Sequence, residues 1–351
     1  MKPNEIKSKD WYHYNGLFLA EHFLGSKTFQ KYFGASQKKL YYKISNYLSK
    51  QNQIDKKQVE SLEKDISRED FLKLCYEPGL PKVFRGAAAN WEAIKKWNPD
   101  FFEEHYGTQK IYLNDNVGIA DQEFEELSLG DYIKQFKART LKYLRFSDVV
   151  NHNPELKNDF DMDWIRNYNL PHSWGEDTKM FMGAKGTLTP LHVGLSDFLF
   201  VQVMGRKKWI LYPTNNRLHL DVRTERTFHY YSNANPYKLD DPNFPLLKFA
   251  QCYEVYLEPG DVLWVPSFVW HHVENLDDTI GIRCGRSSLA SAAKSSKILT
   301  ALIFLATKPN IFSHAIATRT QKRSLVFMKS RTQLNDNLFN RLNPFKRKTK
   351  I

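Results

Sequence analysis

Three features of this 351-residue chain predict a mainly β fold with flanking helices, of the antiparallel jelly-roll kind. From Lys179 onward, apolar residues recur at every second position in short runs, the period of a strand with one buried face. Tight turns link about seven such runs with no helices alternating between them, a pattern of an antiparallel barrel or sandwich rather than of the alternating strands and helices of a parallel sheet. Trp, Tyr and Phe make up 14% of the residues, a composition that suits pleated surfaces and favours a folded, β-rich chain over a disordered one.

The elements follow in order. Residues 1–67 read as an N-terminal helical extension, because Phe29, Tyr32, Phe33, Leu40, Tyr41, Ile44 and Leu48 fall at helical intervals. Ser67, with Asp70 three residues later, starts a further helix that stops at Pro78-Gly79. Lys82 to Arg85 reads as a strand, followed by a Gly-Ala turn and helical segments ending at Gly107. In "KMFMGAKGTLTPLHV" two strands flank Lys185-Gly186. "DFLFVQVMGRKKWILYP" reads as a hairpin turning at Met204-Gly205, "CYEVYLEPGDVLWVP" as another turning at Pro259-Gly260, and "TIGIRCG" closes the set. The β domain so defined spans 68–286, and a basic helical extension occupies 287–351.

The formal net charge of +12 is confined to that extension, which carries thirteen Lys or Arg against the single acid Asp336. Residues 1–286 hold 38 basic and 38 acidic side chains and are neutral. Apolar positions recur among the cations at helical intervals, so the extension suits packing on the barrel or on a second copy in a homodimer. A cationic face also suits nucleic acid or an anionic membrane surface, and a solvated helical end accounts for the same pattern. Cys75, Cys252 and Cys284 are far apart, odd in number and lack a CxxC pair, which argues against a disulfide framework and for a reducing compartment. The first residues lack the apolar core of a secretory signal, and the run Ile298 to Ala306 is too short to span a bilayer, so a cytoplasmic location is expected.

"TPLHVGLSD" (189–197) raises the question of a metal centre. A non-haem iron site holds the ion with two histidines and one carboxylate, leaving open positions on the other side. In a barrel this requires a His and an acid at i and i+2, facing inward together, and a second His on a distant strand. His192 sits on a suitable strand, and His271-His272 follow "GDVLWVPSFVW" 79 residues later. The i+2 position, however, is Gly194. Asp197, at i+5, has the wrong parity for the inward face unless a bulge intervenes.

The stretches "PKVFRGAAANWEAIKKW", "MFMGAKGTLTPLH", "DFLFVQVMGRKKWILYP", "YEVYLEPGDVLWVPSFVWHHVENL" and "TIGI" resemble, in order and spacing, the JmjC-like cupins. Within these the likeness is to the asparaginyl-hydroxylase group that includes factor inhibiting hypoxia-inducible factor. The resemblance implies a double-stranded β-helix and an Fe(II)- and 2-oxoglutarate-dependent oxygenase that couples decarboxylation of 2-oxoglutarate to hydroxylation of a protein or small-molecule substrate. It makes His192 and His271 the iron ligands, and Thr189 and Lys207 the groups for the distal carboxylate of 2-oxoglutarate. In two places the chain departs from the family: Gly194 replaces the acidic ligand, and Arg283 stands where a polar, uncharged residue is usual.

Four readings of Gly194 stay open. A halide or water fills the vacant position, as in iron halogenases with a small residue there; another acid reaches the metal; the pocket has lost redox chemistry and the protein is a silent cupin that binds or assembles; or a two-histidine site hydroxylates slowly. The remaining histidines, His172, His219, His229 and His272, have packing roles as the simpler reading, as do Trp264 and Trp270 in the barrel core. In the run Arg206-Lys207-Lys208, alternation makes Lys207 face differently from its two neighbours, so only one of the three needs an inward role.

Overall fold

The computed structural model describes residues 6–50, 56–113, 125–170, 172–222 and 230–305. His229 and the basic stretch 306–351 lie outside the described residues. The helices are α1 (Ser8–Leu24), α2 (Ser26–Leu48), α3 (Arg68–Phe71), α4 (Glu92–Lys96), α5 (Pro99–Tyr106), α6 (Leu129–Lys137), α7 (Val149–His152), α8 (Met162–Asn167), α9 (Leu289–Ser295) and α10 (Lys297–Leu305). The first strands are β1 (Lys57–Gln58), β2 (Glu60–Leu62), β3 (Lys82–Phe84), β4 (Lys110–Leu113), β5 (Glu125–Ser128) and β6 (Tyr143–Ser147). Nine more follow: β7 (Trp174–Gly183), β8 (Leu188–Val193), β9 (Asp197–Met204), β10 (Lys207–Tyr212), β11 (Tyr230–Tyr231), β12 (Tyr253–Leu257), β13 (Val262–Val265), β14 (Trp270–Asn275) and β15 (Thr279–Ser287).

Two sheets face each other as a jelly roll. One has the order β1-β12-β10-β14-β8-β11, the other β2-β3-β13-β9-β15-β7-β6. The turns at Lys185-Gly186, Met204-Gly205 and Pro259-Gly260 each carry the chain from one sheet to the other. Neither expected hairpin therefore exists: β9 pairs with β13 and β15, and β10 with β12 and β14. A tight turn reads the same in sequence whether the next strand pairs with its neighbour or crosses the barrel, because the pairing is decided by distant residues. Strands β1 and β2, which precede the boundary at 68, add in parallel to β12 and β3 and so belong to the two sheets.

Strand parity sorts the apolar residues into three layers. Phe198, Phe200, Trp209, Leu211, Val265 and Val273 fill the space between the sheets. The alternate residues Leu199, Val201 and Ile282 face outward under the helices of residues 68–170. Leu191, Val193, Ile210 and Tyr212 face outward on the other sheet, beneath Trp11, Tyr14 and Phe18 of α1 and Leu40 and Ile44 of α2. The same layer takes in Ala292, Leu299 and Leu302, so the described part of the C-terminal extension packs on its own barrel. Trp264 and Trp270 are buried, yet in these outer layers rather than inside the barrel. Among the described residues, no helix is long and apolar enough to cross a membrane.

Candidate active site

His192 on β8 and His271 on β14 are direct cross-strand partners. Both are buried, and their ring centroids lie 4.1 Å apart. His192 Nδ1 sits 2.8 Å from the Pro190 carbonyl, and His271 Nδ1 2.9 Å from the Val269 carbonyl. An Nδ1–H that donates to a carbonyl leaves the Nε2 lone pair for a ligand, the arrangement that prepares an imidazole for a metal ion. Burial pushes the His192 pKa down to about 4, so the ring is neutral at physiological pH. Phe198 and Trp209 flank His271 at 5.7 and 5.6 Å between centroids, and Tyr231 lies 6.3 Å from His192.

Gly194 follows directly on Val193, the last residue of β8, and its carbonyl accepts from the Phe268 N–H at 3.0 Å. Asp197 does not complete the metal site. Its Oδ1 accepts from the Ser267 N–H at 2.9 Å and from Ser291 Oγ at 2.5 Å, which ties β9 to the start of α9. Burial raises its pKa to about 6. Among the described residues, no three His, Cys, Asp or Glu side chains converge as a metal-binding group. The two imidazoles fit a divalent ion; the third protein donor of a facial triad is missing among the described residues.

Thr189 is three residues from His192, a spacing that puts the two on opposite faces of a regular strand. A bulge resolves the conflict: His271 opposes His192 whereas Val273 opposes Thr189, so β8 carries one extra residue between them. Val273 belongs to the interior layer, and Thr189, buried opposite it, faces the same way.

Deeper along the same strands lies Lys207, completely buried. It pairs across the ladder with Asn275, and its Nζ donates to Asn275 Oδ1 at 2.5 Å and to Tyr143 Oη at 2.9 Å. Asn275 Nδ2 donates in turn to Thr187 Oγ1 at 2.7 Å. A Cβ on Gly183 would meet Asn275 Nδ2 at 2.4 Å and Tyr143 Cδ2 at 2.5 Å, so this cluster closes only over a glycine. Among the described residues no carboxylate pairs with Lys207. Burial lowers its pKa, and the positive charge of Arg145 adds to the effect. Four residues separate Lys207 from Leu211, the ladder partner of His271, a rise of about 13 Å along β10.

The family is decided by the match of the cupin-like domain model to residues 67–284. The chain belongs to the cupin-like domain family. Relatives of this cupin-like domain include Jumonji C domain-containing protein 5 of Drosophila melanogaster, 24% identical over 60% of this chain and 55% of the relative. Lysine-specific demethylase 8 of Xenopus tropicalis is 26% identical over 60% of this chain and 49% of its own length. The 2-oxoglutarate and iron-dependent oxygenase JMJD4 of Mus musculus is 28% identical over 62% and 57%. The chain thus spans about half the length of these curated relatives.

The basic neighbours of Lys207 and the other histidines singled out by sequence have structural settings. Arg206 and Lys208 point outward to Asp277 and Glu254 at 2.7 and 2.5 Å. His272 opposes Ile210 and faces the outer layer, and His219 is buried in it beside Leu218 and Leu220. His172 is exposed. Sequence reading missed Tyr143, Arg145 and Asn275. Asn275 was accessible by parity, being four residues after His271 on one strand. Tyr143 and Arg145 sit on β6, whose run "KYLRFSD" has no turn pair on either side to announce it.

Proposed function

We propose that this cupin-like domain binds 2-oxoglutarate and acts as an Fe(II)-dependent oxygenase of a variant kind. The observation that carries the reading is Lys207: a fully buried ammonium held by two neutral groups, with no carboxylate partner among the described residues. A charge so placed is costly unless an anion completes it, and the distal carboxylate of 2-oxoglutarate is such an anion. Thr189 adds a hydroxyl donor on the same face. The relatives' names, which include 2-oxoglutarate and iron-dependent oxygenase and lysine-specific demethylase, support the same chemistry.

His192 and His271 would hold the iron, and bound iron would supply the activation of dioxygen. The rest falls to the chain. Lys207 and Thr189 orient the co-substrate, Phe198, Phe200 and Trp209 keep water from it, and the two backbone carbonyls fix each imidazole in the ligand tautomer. With Gly194 in place of the acid, the chain would hold the iron through His192 and His271 alone, with lower affinity than a three-donor site. The substrate is a protein side chain or a small molecule. A silent binding module is the second reading, and Gly194 is the observation that favours it.

Anaerobic titration of the full chain with Fe(II) and 2-oxoglutarate separates the two. The expected result is a weak visible absorption that requires both components and disappears in His271→Ala. Absence of that absorption, with Fe(II) and 2-oxoglutarate both in large excess, would contradict the oxygenase reading.

A further inference from the structure

Arg283 is a further cation on the inward face of the barrel. It opposes Lys179 on β7 and Phe200 on β9, so it shares the inward face with Phe200. Its guanidinium carbon lies 4.8 Å from the Phe198 ring centroid, and that same ring lies 5.7 Å from the His271 ring. Lys207 Nζ stands 5.7 Å from the centroid of Phe200. Phe198 and Phe200 are two residues apart on one face of β9, about 7 Å along the strand. One cation therefore sits over each of two successive phenylalanines, Lys207 at the deep end and Arg283 at the histidine end.

The chain makes room for this arrangement. A Cβ on Gly285 would lie 2.3 Å from Arg283 Nη1 and 2.6 Å from Cζ, and one on Gly281 would lie 2.4 Å from the Phe200 ring. The inward residues of "GIRCG" are thus glycine, arginine, glycine, and a side chain at either glycine would displace the guanidinium or the ring. Among the bonds of its guanidinium, Nη1 donates to Asp177 Oδ2 at 3.2 Å; Asp177 is partly exposed and also lies 3.3 Å from Lys179 Nζ, whose nearer partner is Asp148 Oδ1 at 2.5 Å. The guanidinium keeps donors for a second carboxylate, which it is shaped to take through two parallel bonds.

We propose that Lys207 and Arg283 together form a dicarboxylate site that holds 2-oxoglutarate by both ends without a metal ion. In a three-ligand iron site the carboxylate nearer the metal is anchored by the ion itself; here a fixed guanidinium takes that role beside a metal centre short of one donor. This rests on the reading of the pocket as a 2-oxoglutarate site and goes further, because the co-substrate binds first and independently of metal.

Equilibrium dialysis of the full chain with labelled 2-oxoglutarate tests it, once in EDTA and once with Mn(II). Binding is expected in EDTA. Unlabelled glutarate should compete, and butyrate, with one carboxylate, should be weaker by about tenfold or more. Arg283→Gln should weaken binding in EDTA by about tenfold or more. Asp177→Ala, which removes the carboxylate that competes for Nη1, should tighten it, a gain that misfolding cannot produce. Binding seen only with Mn(II), or binding in EDTA that neither variant changes, would overturn the proposal while leaving the co-substrate reading intact. No binding with or without Mn(II) would overturn both.

Discussion

His192 and His271 face each other across β8 and β14, and each ring directs Nδ1 to the carbonyl two residues before it, that of Pro190 and that of Val269. With Nδ1 of both rings turned to the backbone, Nε2 is the nitrogen each would bring to a metal ion. Co(II) binding followed by its visible spectrum should report on this pair. His192→Ala and His271→Ala should each weaken binding by more than the roughly 10–100-fold typical of changes outside the ligand set. Gly194→Asp should strengthen it, and a Gly194→Asp protein no tighter than the parent would place the missing donor elsewhere.

Lys207 has opposite effects on folding and on binding. With no carboxylate partner among the described residues, it burdens the ligand-free fold, so Lys207→Met should raise unfolding stability in urea by about 1–3 kcal/mol. The same variant should lose the stabilisation that saturating 2-oxoglutarate gives the parent protein. A destabilised Lys207→Met protein would mean that the ammonium is satisfied within the chain.

Gly183 is required for the closure of Tyr143 and Asn275 around Lys207. Gly183→Ala should cost about 1–3 kcal/mol through overpacking and weaken 2-oxoglutarate binding in the same preparation. A change in stability with unchanged binding would separate this contact from the anion site.

Acid should weaken the fold in a defined window. Burial depresses His219 and His272 to about 4 from an ordinary value of 6.5. Folding holds these rings neutral, so their contribution is complete above pH 6.5 and is lost as pH falls toward 4, by about 3 kcal/mol each. Asp197 has the reverse sign. Its pKa is raised to about 6, so its contribution is present below pH 3.8 and is lost as pH rises through 6. His219→Leu should flatten the acid limb of a stability-against-pH curve, and Asp197→Asn should raise stability at pH 7 to 8.

Sequence carried the layers and the metal-proximal residues further than it carried the connections. Parity set Lys207 on the face opposite to Arg206 and Lys208, and His272 opposite to His271, because alternation is local; which of the two faces is inward came from the resemblance. The same rule fails for Thr189, whose inward position depends on one bulged residue opposite His271 and Val273, a feature of pairing between strands about 80 residues apart. The two expected hairpins failed for the same reason, since a turn does not name the partner of the strand after it. The inward Gly-Arg-Gly alternation of "GIRCG" was visible as parity, but its meaning needed Phe198, Phe200 and Asp177 brought together by β7 and β9.

Succinate formation in air tests the oxygenase reading most directly. Full-length protein given Fe(II), ascorbate and labelled 2-oxoglutarate should release succinate and carbon dioxide in equal amounts, slowly even without substrate. Lys207→Met and His271→Ala should each abolish that release, and Gly194→Asp should change its rate. A protein that binds 2-oxoglutarate yet yields no succinate above the metal-only control, with iron shown to be bound, would contradict the oxygenase assignment and leave a dicarboxylate-binding module in its place.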